Sequence, residues 1–132
     1  MIRILLLLGL MSLIAGPAHG QSLSPMQATV PTFGEVGAVR VALRNPYASA
    51  RRFEIELFDL DWQPLGDGRL VRDKLSLGPG GRTSVLALAP VAQHEQREIY
   101  LCATSSPFRT SSAGLRGQVC GRYTVMQRSF SP

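Results

Sequence analysis

The sequence predicts an all-β fold, a single immunoglobulin-like β-sandwich of about seven strands. Turn-forming residues recur about every eight to twelve positions, and the apolar residues between them alternate with a period of two rather than the helical 3.6. The composition, 45% hydrophobic and 17% charged, is that of an ordinary globular domain and excludes a disordered chain. A small β-barrel is the alternative arrangement.

Residues 1–20 are interpreted as a signal peptide. Arg3 supplies a positive charge, an apolar run follows from Ile4 to Gly16, and small residues precede a cleavage point ahead of Gln21. The run is shorter than the roughly 20 apolar residues that span a bilayer. We therefore expect residues 21–132 to form one domain that is periplasmic or secreted and is not inserted into a membrane.

The first half of this domain contains three predicted strands. Ser22 to Pro31 is expected at the edge of a sheet, because it contains two prolines, which cannot donate to a β-ladder. Glu35 to Arg44 alternates between apolar and polar residues and ends at an Asn-Pro turn. In the third strand, Phe53 to Leu57, every second residue is apolar and faces the core.

The second half adds short strands between turns and three longer ones. Turn dipeptides rich in glycine, proline and aspartate separate them. The predicted strands are Arg69 to Val71, Lys74 to Leu77, Thr83 to Leu88, Glu98 to Thr104 and Gln118 to Gln127, with a loop from Ser105 to Gly117 before the last.

The exported chain is basic. Without Arg3 it has 13 Lys+Arg against 9 Asp+Glu, a net charge of +4, and Lys74 is its single lysine. The arginines are scattered rather than clustered, which argues against a nucleic-acid-binding patch. Solvated strand faces are the simpler interpretation, and a basic surface that faces a partner is the alternative.

Two cysteines, Cys102 and Cys120, predict a disulfide in an exported protein. Strand alternation puts both on outward faces, so the bridge would join two neighbouring strands on the surface of a sheet. Metal binding by these cysteines with His94 is the alternative, but three ligands without paired spacing are a poor match for zinc. We predict no metal and no other cofactor.

The residue types needed for catalysis are present but not arranged for it. His94 lies in a polar loop, and no nucleophile motif accompanies it. Glu54 and Glu56 lie opposite the apolar residues of their strand, where solvent is expected, while Asp59 and Asp61 fall in a turn. The sequence therefore predicts a protein that is not an enzyme.

Four stretches, in this order, carry a resemblance to a known family: SLSPMQATVP, VRVALRNP, LSLGPGGRTSVLAL and HEQREIYLCAT. Together they resemble the N-terminal immunoglobulin-like domain of the periplasmic chaperones of chaperone-usher pilus systems. The outward cysteine pair is also similar to a bridge that some members carry between their last two strands. The resemblance implies a sandwich that binds an exported pilin or fibre subunit.

The sequence also departs from that family. Members have a second domain of similar size, whereas this sequence stops after the first. They anchor the carboxylate of the pilin C-terminus with an arginine in the first strand and a lysine in the last. The matching first-strand position here is Gln27, the candidate anchor position, and Arg122 is the nearest basic candidate in the last strand. The departure leaves the donation of an edge strand to the partner as the expected mode of binding.

The last strand is the expected partner-binding edge. Val119, Tyr123 and Val125 alternate along it, with Arg122 and Met126 beside them. An edge strand of this kind pairs with the open sheet of a partner. The alternative is that Tyr123 is an ordinary residue of the sandwich core.

Three functions fit these predictions. The first is a periplasmic chaperone-like accessory that binds an exported subunit. The second is a secreted structural or adhesive module, and the third is a small suppressor of curli-type amyloid assembly. The sequence leaves the client and the oligomeric state undetermined.

Overall fold

The structure is a computed structural model that describes residues 20–91, 96–106 and 116–128. Within them the chain forms nine β-strands and no helix. The strands are β1 (Ser22–Ser24), β2 (Gln27–Thr32), β3 (Val36–Arg44), β4 (Arg51–Phe58), β5 (Arg69–Leu70), β6 (Lys74–Leu77), β7 (Arg82–Pro90), β8 (Gln96–Ser105) and β9 (Gln118–Gln127).

The strands form a sandwich of two sheets, as predicted. A four-stranded sheet has the order β1-β3-β7-β5, and a five-stranded sheet has the order β2-β9-β8-β4-β6. All neighbours are antiparallel except β2 and β9, which run parallel. The alternating apolar residues of both sheets meet in one core, in which Phe53, Leu43 and Ile99 are completely buried.

The predicted first strand divides between the two sheets. Its start, β1, pairs with β3, and its continuation, β2, pairs with β9. The division falls at Pro25, whose ring nitrogen has no hydrogen to donate to a ladder. The expected edge position is confirmed twice, because β1 and β2 each end a sheet.

Buried polar groups close the corners of the sandwich. Asn45, predicted only as the end of a strand, is fully buried, and its side-chain amide donates to the carbonyls of Ser49, Leu77 and Gly78, each at 3.0 Å. These bonds tie the turn after β3 to the turn after β6. Buried amides are stable in such places because every donor has an acceptor.

The turn after β4 confirms the structural role predicted for Asp59. Its Oδ1 accepts hydrogen bonds from the backbone N–H groups of Asp61 and Gln63, both at 2.9 Å. Aspartate side chains commonly stabilise turns in this way. Both Glu54 and Glu56 are exposed, as expected from strand alternation. His94, most of the predicted signal peptide and most of the loop before β9 lie outside the described residues.

Candidate partner-binding site

The last strand, β9, has two halves with different neighbours. It pairs with β8 along Gln118–Met126 and with β2 along Arg122–Gln127, so within the described part of the chain its first four residues, Gln118–Gly121, pair with β8 alone. The prediction that β9 is an edge strand is therefore wrong for its second half, because β2 occupies that edge after changing sheets. The predicted edge residues in this covered half are Arg122, Tyr123, Val125 and Met126. Val119 lies in the uncovered half.

The backbone of the uncovered half is oriented for further pairing. The N–H of Arg122 donates to the carbonyl of Met26 at 2.9 Å. It therefore points away from β8 and towards the side of β9 on which β2 pairs. Backbone groups alternate in direction along a strand, so those of Gln118 and Cys120 point the same way. Among the described residues, no strand pairs with them on that side. This stretch is an open piece of β-ladder.

A buried glutamine holds the start of this open stretch. The Nε2 of Gln21 donates to the carbonyls of Ala103 and Gly117, at 2.9 and 2.7 Å. The N–H of Ser105 donates to the same carbonyl of Gly117 at 2.8 Å. Sequence reasoning treated Gln21 only as the first residue of the exported chain. Nothing in the local sequence marks it, since its role depends on where β8 and β9 end.

Tyr123 belongs to the core rather than to a free edge. Its side chain is completely buried, and its hydroxyl donates to the carbonyl of Pro25 at 2.6 Å. The ring lies against Gly121, where any side chain would overlap it. Burial raises the pKa of Tyr123 to about 12. Tyr123 therefore supports the corner at which the first strand changes sheets, and the core interpretation is the one that the structure supports.

The two candidate anchor positions are neighbours. Gln27 lies directly opposite Arg122 in the parallel pairing of β2 with β9. The Nη2 of Arg122 is 2.8 Å from Oε2 of Glu98 on the adjacent strand β8, and the hydrogen bond and charge of Glu98 raise the pKa of Arg122 above its ordinary value. A carboxylate from a partner would therefore have to compete with Glu98 for this guanidinium.

The predicted disulfide is present. Cys102 and Cys120 are directly opposed on β8 and β9 with Cα atoms 4.0 Å apart, and their sulfurs are bonded. The predicted outward orientation is confirmed, since Ile99, Leu101 and Ala103 form the core side of β8, but neighbouring side chains leave Cys102 only 1% exposed. Because β8 is an inner strand, Cys102 lies between Glu56 of β4 and Cys120 of β9. No cluster of metal-binding side chains occurs among the described residues.

The outer face of the five-stranded sheet also carries an aromatic cluster that the sequence analysis did not predict. The ring of Trp62 stacks on Tyr100, with centroids 4.1 Å apart and planes 7° from parallel. Phe58 packs against Trp62 at 6.0 Å. Trp62 lies in the turn after β4 with a φ of 60° and remains 52% exposed. Since Tyr100 is the register neighbour of Arg122, this cluster borders the Arg122–Glu98 ion pair.

Comparison with solved structures identifies the fold. The chain superposes on the complex of the SafB chaperone with SafA pilin from Salmonella enterica, with a TM-score of 0.67 and 9% identity over 89% of this chain and 59% of the other. For the chaperone DraB of E. coli the TM-score is 0.70, with 9% identity over 86% and 58% of the two chains. A PapD-like domain of human CEP192 superposes with a TM-score of 0.64 and 11% identity, over 92% of this chain and 97% of that domain.

These likenesses confirm the predicted chaperone-like immunoglobulin fold. At such low identity they establish the fold alone, and the chain spans somewhat more than half the length of the chaperone chains. No family model and no curated protein matches the sequence. Within the described residues, no helix is long and apolar enough to cross a bilayer.

Proposed function

We propose that the protein is a periplasmic chaperone-like accessory that binds an extended segment of an exported subunit as an added strand on β9. The observation that carries this proposal is the open ladder at Gln118 and Cys120. The predicted signal peptide and the disulfide support export. Structures with the same fold include a chaperone bound to a pilin.

Strand addition suits this site because the pairing groups are already fixed in direction. The bond between Cys102 and Cys120 holds the uncovered half of β9 against β8, and Gln21 holds Gly117 at its start. Main-chain hydrogen bonds supply affinity in such complexes, and a rigid edge lowers the cost of forming them. An added strand would lie in line with β2 on the same edge of β9. It would end before Met26, because from there onward β2 already pairs with β9.

The test uses exported subunits encoded beside the gene of this protein. A pilin-type subunit should form a soluble complex with it, whereas a curli-type subunit should assemble into fibres more slowly in its presence. A structural module would instead co-purify with the fibre. In the complex, hydrogen exchange of the Gln118 and Cys120 amides should slow markedly, because they become hydrogen-bonded to the client.

A proline variant separates strand addition from other modes of binding. Gln118 faces Thr104 in a pair whose backbone groups point away from each other, so Gln118→Pro removes an outward N–H and leaves the bonds between β8 and β9 in place. We expect it to weaken client binding at least about tenfold, about 1.4 kcal/mol. Gln118→Ala, the matched control, keeps the N–H and should retain binding.

Thermal melting of both variants checks that the fold is kept. If the folded Gln118→Pro variant binds the client as tightly as Gln118→Ala, strand addition on β9 is wrong.

A further inference from the structure

The outer face of the four-stranded sheet carries positive charge only. Alternation along β3 and β7 turns one set of residues, including Val39, Val41 and Val85, into the core and the other set outward. None of the acidic residues lies in a strand of this sheet. Four exposed arginines lie on its outer face: Arg40, Arg44, Arg69 and Arg82.

These arginines have no counter-ions in the described part of the chain. Elsewhere, Arg97 and Arg122 each pair with a carboxylate at 2.8 Å. The arginines of the four-stranded sheet form no ion pair with any described residue. Two of them, Arg44 and Arg82, lie directly opposite each other on β3 and β7. Like charges directly opposed across a ladder destabilise a sheet, and a bound anion would remove that cost.

Exposed aliphatic side chains share this face with the arginines. Val36, at the start of β3, is 48% exposed, and Val71, just after β5, is 60% exposed. The N–H of Val71 donates to the carbonyl of Leu86 at 3.1 Å, so Val71 continues the pairing of β5 with β7. Leu86 and Leu88 lie half-buried between the arginines. The face therefore combines cations and aliphatic groups on one flat surface.

We infer that this face binds the surface of an anionic lipid bilayer, as a peripheral contact without insertion. A bilayer offers a plane of phosphates above an apolar layer, which matches arginines spread among valines and leucines. Arg40 and Arg44 are four residues apart, about 13 Å along the strand, so the charges extend over a surface rather than surround one small anion. A second copy of the same face is a poor occupant, because it would oppose arginines with arginines.

The test is co-sedimentation with vesicles of equal parts phosphatidylglycerol and phosphatidylcholine, compared with phosphatidylcholine alone. The protein is purified from a periplasm and its N-terminus is established by mass spectrometry, since a retained apolar segment would itself bind lipid. We expect binding to the anionic vesicles only. Arg44→Gln/Arg82→Gln should weaken it about thirtyfold, the equivalent of about 2 kcal/mol for two arginines at a lipid surface.

The control variant removes the same charge from the other sheet. Arg52→Gln/Lys74→Gln should retain binding to within about threefold, since these residues lie away from the proposed contact and salt screens them. Relief of the Arg44–Arg82 repulsion should leave the first variant at least as stable as the wild type, so its loss of binding cannot come from unfolding.

Three outcomes would overturn the proposal. Equal binding to both vesicle types would remove the role of anionic lipid. An equal loss in both double variants would show an effect of net charge rather than of this face. Failure to bind vesicles, together with Arg44-dependent binding of an octa-aspartate peptide, would assign the face to an acidic polypeptide instead.

Discussion

The outer faces of the two sheets differ in how they carry charge. On the five-stranded sheet, acidic and basic residues share the outer face, and Glu98 and Arg122 are ion-paired at 2.8 Å. On the four-stranded sheet every charged strand residue is an arginine, and Arg44 directly opposes Arg82. Both sheets cover the same core, so packing of the core does not require this difference.

The two proposals assign separate tasks to the two sheets. The five-stranded sheet balances its charges and is cross-linked by Cys102 and Cys120, and it leaves part of an edge open. These features favour the proposed addition of a strand at β9. The four-stranded sheet keeps its edges short and leaves charge unbalanced on its face, which favours contact with an anionic surface.

The largest effect is expected at Tyr123, which joins the sheets. Its ring fills the core and its hydroxyl binds the carbonyl of Pro25, where the chain passes from one sheet to the other. Tyr123→Ser should lower the free energy of unfolding by about 3–5 kcal/mol, as measured by urea denaturation. Tyr123→Phe, which keeps the ring, should cost only about 1 kcal/mol. If Tyr123→Ser lowers the free energy of unfolding by less than about 1 kcal/mol, the packing of the two sheets does not depend on Tyr123.

The disulfide should contribute the next largest effect, and only the five-stranded sheet has one. Cys102 and Cys120 are 18 residues apart, a separation for which loss of the cross-link costs roughly 3 kcal/mol. Cys102→Ala/Cys120→Ala should therefore unfold at lower urea concentration than the wild type. Reductant should destabilise the wild type and leave this variant unchanged. Two free thiols in the native protein would contradict the assignment of the bond.

Much of this comparison depends on contacts that the sequence does not display. Alternation of apolar and polar residues was sufficient to predict β3, β4, β8 and β9, and the two cysteines predicted the bond between β8 and β9. The proline pattern predicted an edge strand but not its division at Pro25, because a local pattern does not show which sheet each part joins.

The prediction of a free edge along the whole of β9 was wrong because the division of the first strand was not foreseen. Once the first strand divides, β2 covers the second half of β9, and Tyr123 becomes part of the core. The arginines appeared scattered because sequence separation hides the pairing of β3 with β7, which places Arg44 beside Arg82. Pairing between distant strands therefore determines both proposed surfaces.

High pH should destabilise the contact between Tyr123 and Pro25, at the point where the chain passes from one sheet to the other. Burial raises the pKa of Tyr123 from its ordinary value of 10.0 to about 12. Because the folded state holds this proton more tightly than the unfolded state, the associated stability is fully present below pH 10 and is lost as the pH rises towards 12. The melting temperature should fall over this range, and the fall should be smaller in Tyr123→Phe. Equal falls in both proteins would contradict the raised pKa.

The smallest effects test the charge difference itself, through single arginine variants. Arg44→Gln removes one of two opposed cations and should raise the free energy of unfolding by a few tenths of a kcal/mol. Arg40→Gln, on the same face but opposite Leu86, is the matched control and should change little. Arg122→Gln breaks the ion pair with Glu98 and should lower the melting temperature slightly.

Salt should remove these differences, because about 1 M salt screens exposed charges beyond about 3 Å. Arg44→Gln and Arg40→Gln should then melt together. If Arg44→Gln is less stable than the wild type at low salt, the guanidinium makes a favourable contact in the folded protein, and the cost that an anion would relieve does not exist. The four-stranded face would then need no counter-ion, and its charge would no longer distinguish it from the five-stranded sheet.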